Sequence, residues 1–278
     1  MTILVFGKTG QVATELQRLH GDRAMVFLGR DQADLASPET CATAIDSLRP
    51  SAVINAAAYT AVDRAEDEEP LATTVNGAAP GAMARACADL GIPLVHVSTD
   101  YVFDGSGTQP WTETDQTHPI NAYGRSKLAG EEAVRAAGAS HVILRTSWVF
   151  SPHGSNFVKT MLRLARDHDR LSVVDDQVGG PTPASAIAEA LLTLTDALRD
   201  GAPGGTVHFS GQPYVSWAGF ARAIFATYGA RTDVLPVGSD AYPTRAARPR
   251  NSRLRFSKAA GLGDTAPSWQ EELGFTIA

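Results

Sequence analysis

The chain has 278 residues, 44% hydrophobic and 19% charged, with a formal net charge of −6. That length and apolar content suit one large α/β domain, or one with a small appendage, able to bury its core without staples. The acidic balance argues against a general nucleic-acid or membrane-surface binder, and no apolar run approaches transmembrane length. Cys41 and Cys87 fit no metal or redox spacing and read as buried thiols. With a strand opening the chain at once and no leader expected, they point to a reducing cytoplasm.

Residues 2–6 are a short apolar run, the pattern of a strand buried on both faces. Gly7-Lys8-Thr9-Gly10-Gln11-Val12-Ala13 follows, and Val12, Leu16 and Leu19 then take helical spacing. A glycine turn that opens a helix presents free N–H groups and a partial positive charge, which suits a pyrophosphate. Gly7 permits the tight turn, Gly10 lets a phosphate approach, and Ala13 allows close helix–strand packing. A second strand is predicted over Met25–Leu28. In such a fold the residues after it meet the adenosine ribose: Arg30 would take a 2′-phosphate, as NADPH carries, and Asp31 a 2′-hydroxyl, as NADH carries. Asp34 and Leu35 precede a helix capped by Ser37 with Pro38 in its first turn, a loop placed to contact adenine.

The third strand, Ala52–Asn55, runs into Ala56-Ala57-Ala58-Tyr59-Thr60, where small residues leave room for a ligand. Ala58, Tyr59 and Thr60 are therefore candidates for the cofactor wall. An exposed acidic turn from position 63 to 69 and a helix to about Leu90, stopped by Gly91, come next. A fourth strand over 92–97 ends in Ser98-Thr99-Asp100-Tyr101, hydroxyls at the end of a strand where ligands bind, with Thr99 a donor for a carbonyl oxygen. After a loop, Tyr123 and Lys127 stand four apart, one turn apart on one helix face. A cation beside a phenol lowers its pKa from about 10 and makes it a usable proton donor. A fifth strand spans 142–145, and the alternation of strands and helices predicts a doubly wound parallel sheet.

The glycine turn, Ser98-Thr99-Asp100 and Tyr123-x-x-x-Lys127 together resemble the extended short-chain dehydrogenase/reductases. More narrowly, the chain resembles the dTDP-4-dehydrorhamnose reductase family over nearly its whole length. Residues 55–63, 98–103, 145–150, 156–161, 176–182 and 247–254 carry that likeness. The resemblance implies a Rossmann-like fold and an NAD(P)H-dependent reduction of the C4 ketone of dTDP-4-dehydro-β-L-rhamnose. It implies that Tyr123 protonates the oxygen, Lys127 holds the nicotinamide ribose and tunes Tyr123, and Thr99 and Asp100 contact the substrate with Tyr101 beside them. Trp148 matches the position that meets the sugar. NADPH is the expected cofactor, with NADH the alternative. Some members carry a magnesium-bridged dimer; Glu15 matches one of its carboxylates but Ser185 stands near another, so no metal is expected, and a monomer or weak homodimer is. The missing second carboxylate after Asp100 disfavours a dehydratase. A reductase of another dTDP-4-keto-deoxysugar and a non-catalytic nucleotide-binding subunit stay open as alternatives.

From about Pro152 the pattern changes, giving an expected division into a Rossmann domain at 1–150 and a smaller substrate-binding lobe at 151–278 with segments returning to the main sheet. Helices are predicted over 157–166, 183–198 and 217–228, and strands over 171–174 and 206–209. Arg248, Arg250 and Arg253 form a basic cluster suited to a diphosphate, with Arg253 the preferred contact. Asn156 and Lys159 are further polar candidates, and Trp217 and Trp269 read as packing residues.

Overall fold

The computed structural model describes residues 2–259 and 261–274. Five short strands lie parallel in the central sheet: β1 (Ile3–Phe6), β2 (Met25–Leu28), β3 (Ala52–Asn55), β4 (Leu94–Thr99) and β5 (His141–Thr146). A sixth, Gly205–His208, pairs with β5, so the order runs Gly205–His208, β5, β4, β3, β1, β2. Alternate residues along each strand enter opposite cores. Leu4, Phe6, Val53, Leu94 and Ile143 pack toward the helices Pro38–Leu48 and Ala79–Leu90. Ile3, Val5, Ile54, Val95 and Leu144 pack on the other face, where Leu16 and Leu191 come from the helices Gln11–Leu19 and Ala184–Arg199. Burial on both faces is why these strands read as unbroken apolar runs.

The C-terminal half builds a third apolar cluster. The helices Phe157–Leu164 and Trp217–Tyr228 enclose Phe150, Phe220, Ile224 and Trp269, beside the strand pair Arg170–Val174 and Asp233–Val237. A three-stranded sheet sets Val178–Gly179 between Val215–Ser216 and Asn251–Ser252. The strand Gly205–His208 and the helix Ala184–Arg199, also from this half, belong to the main sheet and its face.

Element ends shift by a residue or two from the sequence expectation, the helix expected over 157–166 stopping at Leu164, and two differences have a visible cause. β4 starts at Leu94 rather than 92, because Gly91 and Ile92 cap the preceding helix by donating to Ala88 and Cys87 carbonyls. The acidic stretch is not a bare turn: Val62–Ala65 and Glu69–Thr73 are short helices whose carboxylates face partners. Asp63 pairs with Arg248 at 2.6 Å, Glu69 with Arg125 at 2.7 Å, and Asp67 with Arg245. Opposite charge from distant segments organises what looked like a solvated run. Among the described residues no helix is long and apolar enough to cross a membrane.

Candidate active site

β1 sends the chain to β2 on one side, and β3 returns on the other, so the strand order reverses between β1 and β3. A crevice opens outside the carboxyl ends of parallel strands at such a point. Here it is a cavity of about 900 Å³, at the upper end of the usual range for ligand sites. One end is lined by Gly7, Gly10, Gln11, Val12, Arg30, Asp34 and Leu35, and the other by Thr99, Asp100, Tyr101, Tyr123, Lys127 and Trp148. Ala58 and Thr60 line the wall between them.

The dinucleotide expected from the sequence fits this wall. Gly7 has φ +114°, and a Cβ there would meet the Ala56 carbonyl carbon at 3.3 Å, so only glycine turns the chain this closely. A Cβ at Gly10 would meet nothing within 4 Å, so space stands open over the start of the helix Gln11–Leu19, whose N-terminus has no side-chain cap. Free N–H groups facing open space are what a pyrophosphate needs. At the far end Thr146, the register partner of Thr99 on β5, has a buried hydroxyl with no hydrogen-bond partner among the described residues.

Tyr123 and Lys127 lie on the helix Ala122–Ala136. Asn121 caps it, its Oδ1 accepting from Gly124 N at 2.7 Å, and Glu66 accepts from Ala122 N at 2.8 Å. Two glycines let this helix press inward. A Cβ at Gly124 would stand 2.2 Å from the Tyr101 carbonyl oxygen, and one at Gly130 would stand 2.0 Å from that of Asn76. Asn76 sits in a π-helical turn, Thr74–Ala78, and ties three segments together. Its Oδ1 accepts from Tyr59 N at 2.8 Å, while its Nδ2 donates to Tyr59 O at 3.0 Å and to Ser126 Oγ at 2.9 Å. Ser126 Oγ donates in turn to the Tyr123 carbonyl at 2.7 Å.

Burial governs the electrostatics. It pushes the Tyr123 phenol up to about 12, against a lowering hydrogen bond with Thr99 and with the Asp100 carboxyl adding to the rise. The expected lowering by Lys127 is not what sets Tyr123. The ammonium donates to the Val97 carbonyl at 2.7 Å, and its own pKa is pushed down to about 8 by burial, with Glu131 opposing. Burial likewise lifts Asp100 to about 7 against the Ser252 and Thr99 hydroxyls. Behind Lys127, Glu131 is fully buried and held by Arg145 at 2.6 Å, Arg135 at 2.7 Å and Ser98 at 2.6 Å.

The profile of the RmlD substrate binding domain matches residues 1–278. A dTDP-4-dehydrorhamnose reductase of Sinorhizobium fredii is 45% identical over 280 residues, covering 98% of this chain and 95% of that protein. The chain belongs to the dTDP-4-dehydrorhamnose reductase family. Solved structures bearing that name agree. The one from Clostridium acetobutylicum has a TM-score of 0.92 at 35% identity, covering 99% of this chain and 98% of that one. The one from Bacillus anthracis, in complex with NADP, has a TM-score of 0.91 at 33% identity with the same coverage. The Rossmann-like α/β class follows from this membership as well as from the sheet order.

The residues that carry the family likeness separate by place. Tyr59, Asn156 and Arg253 do not line the cavity, and neither do Asp31, Lys159, Arg248 and Arg250. Tyr59 turns its hydroxyl to Glu68 at 2.6 Å. Asn156 caps the helix Phe157–Leu164 and donates to Gln11 Oε1 at 2.8 Å, so it reaches the cavity only through Gln11. Arg253 donates to Asn251 Oδ1 at 2.9 Å. Lys159 donates to the Pro152 carbonyl at 3.1 Å, and Arg250 lies 3.6 Å from Asp176. Conversely Trp217, read as packing, lines the cavity and stacks on Trp148, with centroids 3.5 Å apart and planes at 9°. Trp148 has φ +49°, a conformation that costs a bulky residue about 1–3 kcal/mol and persists where neighbours over-determine it. Asn76, Gly124 and Gly130 went unread because their roles appear only against partners distant in sequence. The asparagine could have been suspected from a polar side chain on an otherwise small-residue helix face.

Proposed function

We propose that this chain is an oxidoreductase that reduces the C4 ketone of dTDP-4-dehydro-β-L-rhamnose to dTDP-β-L-rhamnose. NADPH is the donor, and NADH is its alternative. The observation that carries the reading is the convergence of Thr99, Tyr123 and Lys127 at one end of a cavity whose other end is the glycine turn. The relatives' shared name supports it, and so does the NADP in the Bacillus anthracis structure.

The nicotinamide supplies hydride when bound. As the carbonyl carbon accepts it, negative charge grows on the oxygen, and donors aimed there stabilise the transition state. Tyr123 donates its proton to that oxygen, and Thr99 hydrogen-bonds it. A phenol near 12 stays protonated at neutral pH. An alkoxide is about as basic as hydroxide, whose conjugate acid water has a pKa of about 15.7, so the phenol can still protonate it. Lys127 holds the nicotinamide ribose and keeps positive charge beside the reacting centre. Asp100, Tyr101 and Trp148 bind the sugar. Arg30, with its side chain 87% exposed and only 3.9 Å contact to Asp34, is free to take the 2′-phosphate of NADPH. Residues 1–150 hold the cofactor, and the sheet and helices outside the main layer at 151–278 form the substrate lobe. The protein works in the cytoplasm as a monomer or weak homodimer.

The test is oxidation of NADPH with enzymatically generated dTDP-4-dehydrorhamnose, followed by the absorbance of the reduced nicotinamide. Turnover to dTDP-rhamnose is expected. No turnover with either cofactor, or turnover confined to another 4-keto sugar, would contradict the reading.

A further inference from the structure

Trp148 follows β5 in the main layer, yet its surroundings come from the other half of the chain. Its indole lies flat on Trp217, and Phe157 closes on Trp217 at 4.5 Å. The indole also rests against Gly179, where a Cβ would stand 2.7 Å from Cε2 and 3.0 Å from Cζ2, so only glycine leaves it room. Gly179 and Trp217 are tied to each other: Val215–Ser216, which leads directly into the Trp217 helix, pairs with Val178–Gly179. Ser252, on the third strand of the same small sheet, acts on the Asp100 carboxyl. One small sheet therefore reaches both sugar-facing positions.

Two indoles this nearly eclipsed are not in the arrangement aromatic rings prefer on their own, which is offset or edge-to-face. The backbone of Trp148 is also in the left-handed region. A bulky residue in that region has to be held by its neighbours, and Trp217 stacks on the Trp148 indole at 3.5 Å. We propose that Trp217 is a positioning residue for the sugar subsite. It fixes the Trp148 indole so that the remaining face meets the apolar side of the deoxysugar ring. The proposal rests on the reading above that Trp148 meets the sugar.

The test compares Trp217→Phe, Trp217→Leu and Trp217→Ala in steady-state assays with sugar and NADPH varied in turn. Losing one aromatic stack predicts a rise of about 3- to 10-fold in KM for the sugar in the leucine and alanine variants. KM for NADPH should stay near the parent value, and phenylalanine, which still stacks, should recover most of the loss. Near-ultraviolet circular dichroism should show a paired-indole signal in the parent that Trp217→Phe removes. An unchanged sugar KM in Trp217→Ala would overturn the assignment. So would equal rises for sugar and NADPH, leucine performing as well as phenylalanine, or a parent without the paired-indole signal. Absence of turnover in the unmodified chain would instead overturn the function reading, and it shows before any variant is made.

Discussion

Replacing Gly124 by alanine adds one methyl group next to Tyr123. That methyl would stand 2.2 Å from the Tyr101 carbonyl oxygen and 2.9 Å from Pro119 Cβ. Ordinary contact begins at 3.4 Å, so helix and loop must part by 3.4 − 2.2 = 1.2 Å. Overpacking of this kind costs about 1–3 kcal/mol. Alanine's better helix propensity returns about 1 kcal/mol, leaving a net loss of roughly 0–2 kcal/mol. Catalysis should suffer more. Tyr123 is the adjacent residue, and a displacement of about 1 Å costs on the order of 100-fold in rate. Urea unfolding and NADPH oxidation on the same preparation separate the two effects. The expected result is a folded protein with a small stability loss and a kcat down by about two orders of magnitude. A folded Gly124→Ala variant with a kcat close to the parent's would refute the idea that close packing of this helix sets the position of Tyr123.

Asp100 predicts a pH effect on stability. Its carboxyl sits near 7 in the fold but about 3.9 unfolded, so between these values the folded chain keeps a proton that the unfolded chain has released. Stability therefore falls as pH rises through that window, by roughly 4 kcal/mol when complete. Asp100→Asn should be more stable than the parent at about pH 8 but not at about pH 4, as read by denaturant unfolding; parallel curves would count against the buried acid. Glu131→Gln strands Arg145 in the interior and should cost about 3–5 kcal/mol by the same method. A neutral effect would mean that Arg145 finds another partner. Arg30→Ala should raise KM for NADPH by about 10-fold and leave KM for NADH nearly unchanged. Equal changes would remove Arg30 from 2′-phosphate recognition.

The features legible in the sequence have a local cause. β1, β3 and β5 are buried on both faces, so their apolar runs are contiguous and visible. Gly7 and Gly10 announce a turn because their need for space is set within a few residues. The Tyr123–Lys127 spacing states a shared helix face directly. What stayed hidden depends on distant neighbours. Gly124 and Gly130 look like weak helix formers until Tyr101 and Asn76 lie against them. Trp217 is indistinguishable from a core tryptophan until the small sheet carries it onto Trp148. The acidic stretch looked solvated because Arg245 and Arg248 are far along the chain. The electrostatic expectation went astray for a related reason: a charge four residues away is visible in sequence, and the depth of burial that outweighs it is not.

Tyr123→Phe puts the proton-donor assignment to its most direct test. Single-turnover oxidation of bound NADPH by dTDP-4-dehydrorhamnose should slow by about 100- to 10,000-fold, while the dissociation constant for NADPH stays as in the parent. A variant that reduces the ketone at close to the parental rate would show that the proton comes from elsewhere.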